Sequence, residues 1–174
     1  YLLEDRWRKL ELDKSISNTP LFARPAIEVK TDSGVGCTLE FYASLRSPYT
    51  ALIFDHVVDF ARASALTLEL KPVLPMVMRG VSLTRQKGLY MFVEAAREGR
   101  ALGDDLGPFW DPIGEPVRRA YSLYPWAKRE GKHVEFFSAF LSAAFKERVN
   151  TMTTRGIKHV LQRADLDWNH AQSI

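Results

Sequence analysis

The residues of this sequence best suited to chemistry are Ser47-Pro48-Tyr49, which end an extended run and open a helical one. The first backbone N–H groups of a helix lack partners within the helix, and the helix dipole places partial positive charge there. Pro48 suits the first helical position because its fixed φ is already helical. The junction is therefore predicted to stabilise an anion such as a thiolate or a carboxylate. The alternative is that Ser47 only caps the helix.

Other residue types that carry chemistry are sparse. Cys37 is the single cysteine, so an internal disulfide and a paired-cysteine redox site are excluded. We expect Cys37 to be a small, partly buried side chain without chemistry. His56 lies near Asp55 and Asp59, but the other histidines are scattered along the chain. His56 is therefore expected to be a core histidine, and no metal site is predicted.

A strand, a helix and a second strand must position Ser47. Alternation of apolar and polar residues from Leu39 to Ala43 predicts a strand with one buried face, and the same alternation from Leu66 to Lys71 predicts a second strand. The helix between them shows apolar residues at helical spacing: Leu52, Ile53, Val57, Phe60 and Ala61. A strand, helix and strand of this length predict a parallel pair joined by a crossover helix.

Beyond Leu74 the apolar spacing is helical throughout. It begins with Leu89, Val93 and Ala96 and continues in three further stripes. The aromatic row Phe136, Phe137, Phe140 and Phe145 is expected to be core packing rather than a cofactor site.

Three short segments, in order, resemble the kappa-class glutathione transferases and 2-hydroxychromene-2-carboxylate isomerase, which belong to the thioredoxin-like DsbA superfamily. The segments are Leu39 to Leu52, Leu70-Lys71-Pro72-Val73-Leu74 and Lys87-Gly88-Leu89-Tyr90-Met91. The resemblance covers roughly residues 37 to 168. It implies an α/β fold, in which a thioredoxin-like βαβ unit carries a large helical insertion.

The resemblance also implies a function. It makes glutathione the cofactor, Ser47 the catalytic residue, and Ser47, Tyr49 and Lys87 the glutathione-binding residues. Tyr49 either faces the pocket or begins the buried stripe, and Lys87 either holds glutathione or is simply solvated. The expected substrate is a small aromatic-derived molecule. The chain is then an isomerase, in which thiolate addition is reversed after a bond rotation, or a transferase, in which the adduct is the product. The alternative is a non-catalytic thioredoxin-fold binding module, one half of a tandem protein.

The sequence departs from the resembled pattern in two places. A short loop, Met78-Arg79-Gly80-Val81-Ser82, stands where the family has a longer loop with asparagine, and no cis-proline segment with two further strands is recognisable before Ile174. We therefore expect residues 1–36 to form a lead helix and linker, the tail of a preceding element or domain. Residues 37–174 are expected to form the thioredoxin-like domain, incomplete at its C-terminus. A homodimer or a tandem domain would supply the missing strands.

Composition is that of an ordinary globular domain, with 46% hydrophobic and 26% charged residues. No apolar run approaches the roughly 20 residues that cross a bilayer, so no membrane partner is predicted and the cytoplasm is the default location. The net charge of +3 and pI of about 9.0 come from dispersed basic pairs interleaved with acidic residues. This pattern favours a small anionic ligand and argues against a nucleic-acid partner.

Overall fold

A computed structural model describes residues 34–104 and 106–174, and its first elements form the predicted strand-helix-strand unit. Strand β1 is Thr38–Ala43, helix α1 is Pro48–Ala63 and strand β2 is Thr67–Pro72. The two strands are parallel, and they are the whole sheet within the described residues. The predicted βαβ unit is confirmed. The lead helix and linker predicted for residues 1–36 fall almost entirely outside the described residues.

The rest of the described chain is helical, as the apolar spacing predicts. A 3₁₀ turn, Met76–Arg79, follows β2 and precedes five helices: α2 Arg85–Leu102, α3 Glu115–Arg129, α4 His133–Phe145, α5 Thr154–Arg163 and α6 Trp168–Ala171. Helix α1 packs against α2 and α4, and α4 packs against α3 and α5. Across the described ranges, no helix combines the length and apolarity needed to cross a membrane.

Side-chain oxygens cap the N-termini of four helices. Ser47 caps α1, Thr84 caps α2, Thr153 caps α5 and Asp167 caps α6, each accepting a hydrogen bond from a backbone N–H of the first turn. Helix α2 ends at Gly103, whose φ of 73° is in the left-handed region that glycine adopts without strain. These signals are local, so the start of each of these four helices can be recognised in the sequence, whereas α3 and α4 begin without a side-chain cap.

The core is built on aromatic side chains of α1 and α4. Phe136, Phe137, Phe140 and Phe145 are fully buried, which confirms the prediction that this row is core packing. Phe54 of α1 is also buried, and its ring lies 5.9 Å from the ring of Phe137 between their centroids. Contacts of this kind fix α1, which carries Ser47 at its N-terminus, against the helical region.

Two tyrosines of α3 join the helical region to the sheet. The hydroxyl of Tyr124 donates to the carbonyl of Leu70 at 2.8 Å, and that of Tyr121 donates to the carbonyl of Val73 at 2.6 Å. Tyr121 also accepts from the N–H of Leu45 at 3.3 Å, so one hydroxyl connects the chain after β1 to the chain after β2. Burial raises the pKa of Tyr121, which keeps this hydroxyl protonated and able to donate.

The predicted buried face of α1 was wrong in part. Ile53 and Phe60 are 41% and 37% exposed, and the side chains that pack inward are Ala51, Phe54 and Ala61. Helix α1 is apolar on more than one side, so the spacing of its apolar residues cannot decide which side faces the sheet and α4.

Two further expectations about single side chains were wrong. His56 is exposed and is not a core histidine, because it lies on a solvent-facing side of α1. Cys37 is also exposed, since it precedes β1 and lies outside the packed part of the sheet.

Candidate functional site

A cavity of about 390 Å³ lies at the N-terminus of α1. This volume is within the usual range of small-ligand sites, roughly 300–1,000 Å³. Its walls come from the end of β1 with the segment after it, the first turn of α1, the segment after β2 with the 3₁₀ turn, and the first two turns of α2. The wall residues are Tyr42, Ser44, Arg46, Ser47, Pro48, Thr50, Val73, Leu74, Pro75, Met76, Val77, Arg79, Leu83, Gly88, Met91 and Phe92. Most of this surface is apolar, so the cavity suits a ligand with an apolar body.

Ser47 is both a helix cap and a cavity residue. Its Oγ accepts a hydrogen bond from the N–H of Thr50 at 3.1 Å, as a cap does. A serine hydroxyl also carries one proton to donate, and no acceptor among residues 34–104 and 106–174 takes it. The hydroxyl therefore has a donor available on the cavity wall, beside the positive end of α1.

The backbone around Ser47 is held by hydrogen bonds. The N–H of Ser47 donates to the carbonyl of Ser44 at 3.1 Å, and the N–H of Ser44 approaches Oγ1 of Thr50 at 3.5 Å. Ser44 and Thr50 are both cavity residues. The hydroxyl of Ser47 is thus part of a small polar cluster at an otherwise apolar site, and its position is set by the strand-to-helix junction.

Two arginines lie on the cavity wall, and their surroundings differ. Arg46 forms a two-pronged ion pair with Asp111, with Nε and an η nitrogen each 2.8 Å from a carboxylate oxygen. Its guanidinium is therefore already paired with a carboxylate. Arg79 is exposed, and no hydrogen-bond or ion-pair partner for it occurs in the described part of the chain. Neither arginine was predicted to be a site residue.

Tyr49 does not lie on the cavity wall. Its hydroxyl donates to Glu94 of α2, which also accepts from Tyr90 at 3.3 Å. Burial, together with the neighbouring carboxylate of Glu94, raises the pKa of Tyr49 to about 12. Tyr49 thus connects α1 to α2, and its prediction as a glutathione-binding residue remains a prediction.

Lys87 also lies outside the cavity wall. Its side chain is exposed, and its backbone N–H donates to the capping hydroxyl of Thr84 at 3.2 Å. Other residues of the same motif, Gly88 and Met91, do line the cavity. The motif therefore contributes two residues to the cavity wall, but Lys87 is not one of them.

Ser47 is the one predicted site residue that lies on the wall. Met76 and Phe92 are apolar and lie outside the three motifs, whereas Gly88 and Met91 belong to the third motif. Arg79 lies in the short loop at which the sequence departs from the resembled pattern. A cation in a loop that follows a strand end is the signal that could have identified it. Among the described residues, no group of three or more histidine, cysteine or acidic side chains could hold a metal ion.

The donor set fits glutathione at its thiol, because the Ser47 hydroxyl can donate to a thiolate. Arg46 on the same wall is paired with Asp111, and the described residues contain no cis peptide bond. The residues that would hold the sulfur are Ser47 and the first turn of α1.

The fold is a DsbA-like thioredoxin fold, as structural comparison shows. The chain is similar to a 2-hydroxychromene-2-carboxylate isomerase (HCCA isomerase), with a TM-score of 0.61 and 16% identity over 77% of this chain and 68% of that one. It is also similar to a probable DsbA oxidoreductase from Streptomyces coelicolor, with a TM-score of 0.52 and 14% identity over 77% of this chain and 65% of that one. No protein-family model matches the chain, and no curated protein matches it in sequence.

Proposed function

We propose that the protein is a glutathione-dependent isomerase of the 2-hydroxychromene-2-carboxylate type. The observation that carries the proposal is the Ser47 hydroxyl, which has a proton to donate on the wall of an apolar cavity at the N-terminus of α1. The structural similarity to an isomerase of this type supports the same reading. A kappa-type transferase would use the same residues, and the two differ only in the fate of the adduct.

The cofactor would supply a thiol whose thiolate form adds to an electrophilic carbon. A free thiol has a pKa of roughly 8.5 and is mostly protonated at neutral pH. Ser47 donates to the sulfur, and the first turn of α1 adds its partial positive charge. Each unit of pKa depression needs about 1.4 kcal/mol of preferential stabilisation of the anion. One charged hydrogen bond and a helix terminus together can supply this.

The cavity would hold the aromatic-derived substrate beside Ser47. Phe92, Met91 and Met76 provide an apolar surface that excludes water from the reacting atoms. Tyr121 fixes the two backbone segments that flank this surface, because it binds both Leu45 and Val73. The chain's own contribution is thus donation, positioning and exclusion of water.

The proposal is tested by replacing Ser47 with alanine and measuring glutathione affinity by calorimetry and thiolate absorbance in the ultraviolet. We expect both to fall. Loss of the cap alone should cost about 1 kcal/mol of stability, so Thr153→Ala is the matched control. Thr153 caps α5 by accepting from the backbone N–H three residues on, as Ser47 does, and it lies away from the cavity. Its hydroxyl also donates to the carbonyl of Asn150. If Ser47→Ala changed only the melting temperature, as Thr153→Ala should, Ser47 would be a cap and the proposal would be wrong.

A non-catalytic binding module is the second candidate, and one observation favours it. Two of the three predicted glutathione-binding residues, Tyr49 and Lys87, lie outside the cavity wall. A module of this kind would bind a small apolar ligand in the cavity without activating a thiol. Ligand binding that is unaffected by glutathione, with no glutathione-dependent turnover, would support it.

A further inference from the structure

The arrangement of charge on the cavity wall distinguishes the two arginines. Arg46 is 20% exposed and Asp111 is 35% exposed at the side chain, and both oxygens of Asp111 are bonded to Arg46. Asp111 balances the charge of Arg46 and occupies two of its five N–H donors, so a ligand carboxylate would compete with Asp111 for this guanidinium. Within residues 34–104 and 106–174, Arg79 has no such competitor.

The backbone that carries Arg79 is a closed turn. The N–H of Val81 donates to the carbonyl of Met76 at 3.1 Å, and that of Gly80 donates to Val77 at 3.4 Å. Gly80 has a φ of 78°, in the left-handed region, which allows the chain to reverse directly after Arg79. Met78 packs against the core and anchors the turn. The backbone from which the Arg79 side chain extends is therefore fixed at the edge of the cavity.

The wall residues close to Arg79 in the chain are apolar, and so are two of those that α2 contributes. They include Leu74, Met76, Val77 and Leu83, with Met91 and Phe92 from α2. Arg79, for which the described residues supply no partner, stands among these apolar side chains and complements a ligand with an apolar body and one anionic group. The planar guanidinium matches a carboxylate with two parallel hydrogen bonds.

We propose that Arg79 binds the carboxylate of the electrophilic substrate and so selects an aromatic acid over its neutral analogues. The inference rests on the proposed function, because it assigns the substrate of that reaction to this cavity. It adds a specificity-determining residue that lies apart from the thiol-activating Ser47. Arg46 has a different role, in which its pair with Asp111 fixes the wall.

The test compares two probes, 2-naphthoate and the neutral 2-naphthamide, titrated calorimetrically into the protein without glutathione. We expect the carboxylate to bind about ten- to a hundredfold more tightly than the amide, the range given by a hydrogen bond to a charged group. Arg79→Gln should remove this preference and leave the affinity for the amide unchanged. Arg85→Gln is the matched control, because Arg85 is an exposed arginine six residues further along the chain and is not on the cavity wall.

Three outcomes would overturn the inference: equal affinity of the wild-type protein for both probes, no binding of either, or an equal effect of the two arginine substitutions. Melting curves of both variants would show that they fold. Failure of the proposed function would appear differently. If Ser47→Ala did not weaken glutathione binding while Arg79→Gln removed the carboxylate preference, Ser47 would lose its role and Arg79 would keep its own.

Discussion

At the residue scale, Ser47 and Tyr49 differ in role although one residue separates them. The side chain of Ser47 reaches the cavity, whereas that of Tyr49 turns toward Glu94 on α2. Successive side chains of a helix point in different directions, so a motif that spans a helix start places its residues on different sides. The sequence predicts the cap at Ser47 because capping is local. It could not predict the partner of Tyr49, because Glu94 is 45 residues away in the chain.

Tyr49→Phe is expected to destabilise the protein and to leave ligand binding almost unchanged. The substitution removes a hydrogen bond to a charged group, so we expect a loss of about 1–2 kcal/mol in urea unfolding. The raised pKa of Tyr49 means that this contribution is present below pH 10, the ordinary pKa, and is lost as the pH rises through about 12. Tyr90→Phe is the control, because its bond to Glu94 is longer, at 3.3 Å. A loss of glutathione affinity as large as that of Ser47→Ala would contradict this placement.

At the element scale, the sequence predicted helices well and their buried faces less well. The predicted stripe of α2 was wrong, since Leu89 and Val93 are 58% and 57% exposed. The buried residues of α2 are Ala95 and Gly99, which are small and carry little hydrophobic signal. Only small residues fit at these positions of α2, because α1 lies close to this face of the helix. A Cβ at Gly99 would lie 2.9 Å from a methyl carbon of Leu52.

Two glycines of α2 should respond oppositely to alanine. A Cβ at Gly88 would lie 3.6 Å from Leu83, an ordinary contact, whereas a Cβ at Gly99 would lie 2.6 Å from the carbonyl of Asp104. Gly88→Ala should therefore raise the unfolding free energy by up to about 1 kcal/mol, the helix preference of alanine over glycine. Gly99→Ala should lower it, because backbone atoms must move.

The variants Gly88→Ala and Gly99→Ala also test whether the ligand binds in the cavity. Gly88 lines it and Gly99 does not, so only Gly88→Ala adds a methyl group to the wall. We expect weaker binding of 2-naphthoate by Gly88→Ala despite its higher stability. Chemical unfolding and calorimetry on both variants provide the measurement. Unchanged affinity in Gly88→Ala would show that the ligand lies elsewhere.

At the scale of the whole molecule, the two outer edges of the sheet differ in their hydrogen bonding to the rest of the described chain. Tyr124 donates to the carbonyl of Leu70 on the edge of β2 that faces away from β1. Thr67 and Val73 bond to Cys37 and Ala43, so odd-numbered residues of β1 face β2. By the alternation of a strand, the backbone groups of Thr38, Glu40 and Tyr42 point outward. Long-range relations of this kind, unlike helix caps, are not visible in a sequence window.

The outer edge of β1 predicts self-association, because no residue in the described ranges pairs with it and unpaired strand edges recruit other strands. We expect the mass in solution to rise with protein concentration in sedimentation experiments. Glu40→Pro removes the outward N–H without touching the bonds to β2, so it should suppress association. Glu40→Ala removes the charge and keeps the N–H, so association should persist.

A mass independent of concentration would mean that the edge is covered by other residues. Equal behaviour of the two variants would mean that association uses another surface, and in either case the role given to β1 would be wrong.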